Sequence, residues 1–73
     1  MESGENIRIR FGKRLRELRQ ARGLSQEAFA LEADLDRTYI SGIERGIRNV
    51  SLLNLEILAG TLGVSLQELF IGV

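Results

Sequence analysis

No cysteine occurs in this chain of 73 residues, so neither a disulfide staple nor a thiolate metal site can form. Histidine is absent as well, which removes the commonest general base and metal ligand. No glycine-rich phosphate loop and no pair of acids at a useful spacing makes up for that loss. An enzyme is therefore not expected, nor is a cofactor, a bound metal or a small-molecule ligand. No apolar run approaches the ~20 residues of a membrane span. The opening segment MESGENIRIRFG begins acidic and has no apolar stretch of signal-peptide length. No membrane association is expected, and a cytoplasmic location is. Proline, low-complexity tracts, internal repeats and strand-like alternation are all missing.

Net charge is missing too: ten basic residues balance ten acidic ones. That argues against a generic polyanion binder, but the distribution is uneven. Between Arg8 and Arg22 seven basic residues face one acid, Glu17. Arg37, Arg45 and Arg48 follow, and beyond Arg48 there is no basic residue, only Glu56 and Glu68. The expectation is one basic face and one neutral-to-acidic end.

What remains reads as five short helices in a single domain, residues 1–73. A chain this short buries only about 60% of its unfolded surface, so the core must be small. In the first helix Ile7, Phe11, Leu15, Leu18 and Arg22 recur at helical spacing, and Gly23 stops it. Ser25 caps a second helix, QEAFALEA, with Glu27 in its first turn and Phe29, Ala30 and Ala33 as core. Asp36 caps a third helix reaching about Arg45 and closed by Gly46. After the loop GIRNV, Ser51 caps a fourth helix with Leu55, Leu58, Ala59 and Leu62 inward and Gly63 as its stop. Ser65 and Glu68 form a capping box for a last helix holding Leu66, Leu69 and Phe70. The expected fold is all-α and compact.

The second and third helices are joined by two or three residues, a helix-turn-helix arrangement over about 25–45. Small Ala30 lets the helices approach, while Leu35, Ile40 and Ile43 pin them to the core. The turn needs a residue at positive φ, and Asp34, one of the few non-glycine types that tolerate it, stands there. On a helical wheel Ile40 and Ile43 point inward with Glu44 beside them. Thr38, Ser41, Gly42 and Arg45 point outward, flanked by Arg37 and Tyr39. The third helix contains mediocre helix formers and a glycine that costs about 1 kcal/mol relative to alanine. A short polar face of this kind suits the DNA major groove, where hydroxyls reach phosphates or base edges and arginine bonds guanine bidentately.

At LSQEAFA…LDRTYISGIERG the chain resembles the phage-repressor and Cro-type helix-turn-helix family, also called the xenobiotic-response-element family, over about residues 7–70. The denser stretch DRTYISGIERGIRNVSL is similar to controller proteins of restriction–modification systems. The resemblance implies a sequence-specific transcription regulator that binds double-stranded DNA. It places Gln26 on a phosphate and turns Arg37, Thr38 and Tyr39 to the operator. Ser41, Arg45, Arg48 and Asn49 would touch the backbone or adjacent bases. It also implies an ion pair between Arg19 and Glu44. Asp34 departs from the usual glycine of the turn.

On the fourth helix Leu53, Ile57 and Thr61 fall about 160–240° from Leu55, where a monomer gains nothing by placing large aliphatics. Gly60 lies beside them, and Ile71 and Val73 follow at the chain end. An apolar patch of this kind marks an interaction site. The expectation is a homodimer through about residues 52–71, with two recognition helices set on successive major grooves of a pseudo-palindromic operator. Two alternatives use the same residues. Leu53 and Ile57 could pack under the N-terminal arm of their own chain, or the patch could serve an antitoxin or other protein-interaction module.

Overall fold

The computed structural model describes residues 5–73 and contains five helices: α1 (Ile7–Ala21), α2 (Gln26–Ala33), α3 (Arg37–Glu44), α4 (Leu52–Leu62) and α5 (Leu66–Leu69). Each begins at a side chain that accepts a backbone N–H left unpaired by the helix. Ser25 accepts from Ala28 at 3.0 Å, Asp36 from Thr38 at 2.8 Å and Ser51 from Asn54 at 3.1 Å. Ser65 and Glu68 exchange both bonds of a capping box at 3.0 Å. Asn6 caps α1, accepting from Ile9 at 3.2 Å, a start that the apolar stripe alone did not mark. Helix α3 stops at Glu44, with Arg45 as its cap residue.

The α2–α3 turn is closed by two backbone bonds, Leu35 N–H to Ala30 C=O at 2.9 Å and Asp34 N–H to Leu31 C=O at 3.2 Å, the Schellman pattern. Asp34 sits at φ 57° and is the single non-glycine residue at positive φ among those described.

The core gathers one or two large side chains from every helix: Leu15, Phe29, Ile40, Ile43, Leu58 and Leu69 are fully buried. Phe11 stacks on Phe70 with ring centroids 5.1 Å apart, which ties α1 to the C-terminal end. Helix α1 packs on α3, α2 on both α3 and α4, and α4 on α5. The apolar stripes are shorter than expected at their ends. Ile7 is 55% exposed, and Arg22 is also exposed, its guanidinium reaching the Thr61 carbonyl and Glu32 instead of the core. Leu66 is 46% exposed although it stands i, i+3 from Leu69 and so close to the same helix face.

The N-terminal arm falls partly on residues 1–4, outside the described segment. Among the described residues Leu53 is 66% exposed, Ile57 and Thr61 are half-buried, and Gly60 is exposed with open space at its missing Cβ. The Thr61 hydroxyl donates to the Ile57 carbonyl at 2.9 Å. Ile71 is exposed, but Val73 packs partly against the core. Leu52, at 83% exposure, adds to the apolar face; its place in the first turn of α4 had hidden it from the stripe argument. No helix is long and apolar enough to cross a membrane among the described residues.

Candidate nucleic-acid interface

Helix α3 carries an outward row at i, i+4, i+8: Arg37, Ser41 and Arg45, with Thr38 beside it. Arg37, Thr38 and Arg45 are exposed and Ser41 is half-buried. The first turn is fastened by Asp36, whose carboxylate accepts from both the amide and the hydroxyl of Thr38, at 2.8 and 2.5 Å. These two bonds, hydroxyl first, hold the Asp36 carboxyl below its ordinary pKa, with smaller help from the nearby Arg37 and Arg48 charges.

Tyr39 does not stand free on the groove face. It is half-buried against the core. Its hydroxyl accepts from the Asn54 side chain at 3.0 Å, and the Arg48 guanidinium lies over its ring, 5.6 Å from the centroid. Asn54, a residue of α4, had no local signal: it lies 15 positions away. Gly42 corrects the wheel reading. It is buried, and a Cβ there would meet Arg48 Cγ at 2.7 Å. The glycine admits the returning Arg48 side chain and is not part of the outward face. Its position about 100° from Ser41 turns it toward the α3–α4 loop. Arg48 and Asn49 are exposed on that loop, next to exposed Ile47.

The C-terminal end of α3 is anchored from behind. Arg19 donates from Nε to Glu44 Oε2 at 2.6 Å and from Nη2 to Oε1 at 2.9 Å, while its Nη1 donates to the Leu24 carbonyl at 2.7 Å. The two side chains are 7% and 3% exposed. The bidentate bond to Glu44 raises the Arg19 pKa, against the opposing effect of burial. Gln26 joins this network, its Nε2 donating to Glu44 Oε1 at 3.1 Å. A phosphate contact by Gln26 would use an amide already oriented by Glu44. Behind the same helix end, a Cβ on Gly12 would lie 2.4 Å from the Ile43 carbonyl oxygen and 2.8 Å from that of Glu44. Backbone meets backbone there, and α1 becomes a fixed rest for α3.

The basic run of α1 is not a single solvent-facing patch. Arg19 is buried, Arg10 donates to the Val73 carbonyl, Arg14 to that of Glu68 and Arg22 to that of Thr61, each between 2.6 and 2.7 Å. These contacts span 39 to 63 residues of sequence, so charge counting along the chain misassigned them. Arg37, Arg45 and Arg48 are the exposed cations of α3 and the loop after it, and exposed Arg8 lines a cleft with Arg48 and Asn49. No cluster of three or more potential metal ligands occurs among the described residues.

Residues 15–69 match the model of a helix-turn-helix family. The chain is 58% identical over 66 residues to the control protein C.MunI of Mycoplasma sp, covering 89% of each. It superposes with a TM-score of 0.84 on the crystal structure of the restriction-modification controller protein C.AhdI from Aeromonas hydrophila, with 56% identity over 86% of this chain and 96% of that one. It also superposes, at a TM-score of 0.81 and 37% identity over 92% of this chain and 90% of the other, on the controller protein C.Esp1396I, solved as a tetramer in complex with its natural 35 base-pair operator.

Proposed function

Because the chain belongs to this helix-turn-helix family, we propose that it is a transcriptional regulator of the restriction–modification controller type, binding a pseudo-palindromic operator as a homodimer. The observation that carries this reading is the outward row of α3. It is short, polar and twice arginine-bearing, and it is held rigid at its start by Asp36 and at its end by Arg19 and Gly12. Preorganised donors on a helix are what base-edge readout in the major groove needs. Arg37 is the residue placed to read a base. Thr38, Ser41 and Arg45 lie along the groove wall, and Arg48 and Asn49 extend the contact from the loop. Gln26 at the start of α2 reaches a phosphate. Tyr39 supports Arg48 from below while its ring edge stays near the duplex. The function is binding rather than catalysis, and its setting is the cytoplasm, where the operator lies. The apolar face of α4 and the chain end joins the two copies.

A mobility-shift titration on the DNA upstream of the chain's own gene tests the reading. Arg37→Ala is expected to cost about 1–3 kcal/mol and to relax preference at one or two base pairs. Loss of Gln26 or Ser41 weakens binding to all sequences more evenly. Equal cognate-to-scrambled ratios for wild type and Arg37→Ala would remove Arg37 from direct readout.

A further inference from the structure

Helix α1 lies between the two surfaces that a dimeric regulator must hold in register. On one side Gly12 rests on the Ile43 and Glu44 carbonyls and Arg19 grips Glu44, so this side carries α3. Arg10 and Arg14 lie about 160° around the helix from Gly12 and face the other way. Arg10 Nε donates to the Val73 carbonyl at 2.7 Å, and Arg14 Nη2 donates to the Glu68 carbonyl at 2.7 Å. Those carbonyls flank exposed Ile71, part of the proposed dimer face. We infer that Arg10 and Arg14 are positioning residues that set the half-site spacing the dimer reads, by locking the dimer face to the side of α1 opposite the recognition helix.

The chemistry favours orientation over stability. Carbonyls at the end of a one-turn helix and in the tail beyond it are met by water when no side chain reaches them. The bonds therefore add little that solvent would not supply, except direction. A guanidinium is a planar fork of fixed geometry, which makes it suited to that role. Arg14 Nε is buried without a partner. The other two nitrogens of Arg14 are directed, Nη2 to the Glu68 carbonyl at 2.7 Å and Nη1 toward Glu17 at 3.6 Å. The stack of Phe11 on Phe70 supplies the apolar contact between the same two elements, but rings can slide where directed bonds cannot.

This inference rests on the proposed dimeric operator binding, and the test separates the two. A duplex selected by the wild-type protein from a random-sequence pool is resynthesised with the centre lengthened or shortened by one base pair, and also as an isolated half-site. Each added base pair moves one half-site by about 3.4 Å and turns it by about 34°. Wild type, the double variant Arg10→Ala/Arg14→Ala, Arg14→Ala alone and Lys13→Ala are compared at a concentration where sedimentation shows dimer. Lys13 removes a charge from the same helix without touching α5.

The double variant is expected to narrow the preference for the selected spacing by roughly tenfold, with half-site affinity close to that of wild type. Lys13→Ala is expected to keep the wild-type preference. A folded, dimeric double variant with the wild-type spacing preference would overturn the inference, as would equal narrowing by Lys13→Ala. If the double variant loses its helical signal, Arg14→Ala decides: partial narrowing supports the role and none overturns it. A wild-type protein indifferent to the second half-site would overturn the dimeric reading itself, and the spacing role with it.

Discussion

Arg19 shows how much one side chain can decide in a chain of this size. Its guanidinium meets Glu44 twice and the Leu24 carbonyl once, with both side chains nearly free of solvent. Truncating it to alanine leaves the Glu44 carboxylate buried with only Gln26 for company. Breaking a buried pair in this way costs about 3–5 kcal/mol. A whole domain has only about 5–15 kcal/mol to lose. Thermal denaturation of Arg19→Ala is expected to show a midpoint far below wild type, and an unchanged midpoint would contradict the account. The exposed pairs Lys13–Glu5 and Arg22–Glu32 are of the kind that contributes about 0–1 kcal/mol, and their loss should pass almost unnoticed. In the sequence Arg19 is one of seven basic residues in a row of fifteen positions. The family resemblance singled it out, whereas nothing local marked Arg10, Arg14 and Arg22, whose acceptors lie at the far end of the chain.

At the scale of the element, α3 depends on its two ends. The Asp36 carboxylate is held below its ordinary pKa by the Thr38 hydroxyl and amide. A depressed carboxyl stabilises the fold fully above the unfolded-state value and ceases to do so as pH falls through the folded-state value. The cap is therefore intact throughout the ordinary carboxyl range and fails only as pH falls through the lowered folded-state value. An amide-proton NMR titration should show Thr38 leaving its capped position only below that point, and Asp36→Asn should remove the transition. Elements of this kind were legible in advance, because caps and stops are local chemistry: Ser25, Asp36, Ser51 and Ser65 all cap, and Asp34 takes the left-handed turn. Gly42 was not legible. The wheel places it on the outward face with Ser41 and Arg45, and only the path of the α3–α4 loop shows that Arg48 fills the space beside it.

At the scale of the molecule, one protomer measures 36 × 23 × 23 Å. Two copies joined as proposed, through α4 and the tail, would span half-sites one helical turn apart, about 34 Å. Leu52, Leu53 and Ile71 stand exposed on that side, and Gly60 leaves room for a second backbone. Ile57→Asp is expected to convert the dimer to monomer in sedimentation at tens of micromolar, while leaving the helical spectrum intact. A variant that still sediments as a dimer would move the interface to another face. The exposed apolar face was visible in sequence as aliphatics on the side of α4 away from its core stripe. Its composition was not fully so, because Val73 folds back onto the core and Leu52 replaces it in the exposed set.

Three of the α1 arginines, Arg10, Arg14 and Arg19, are committed to acceptors within the fold, and this has a consequence for life among bulk chromosomal DNA. Binding to random duplex is driven by the release of counterions, one for roughly each phosphate neutralised. With Arg37, Arg45 and Arg48 as the cations around α3, a dimer displaces about six, and the logarithm of its affinity should fall with the logarithm of salt at a slope near −5. Had the run from Arg8 to Arg22 faced the duplex as well, the slope would be steeper and most copies would be held on irrelevant sequence. Arginines committed to Glu44 and to the protein's own carbonyls are not offered to random duplex, which favours the operator over irrelevant sequence.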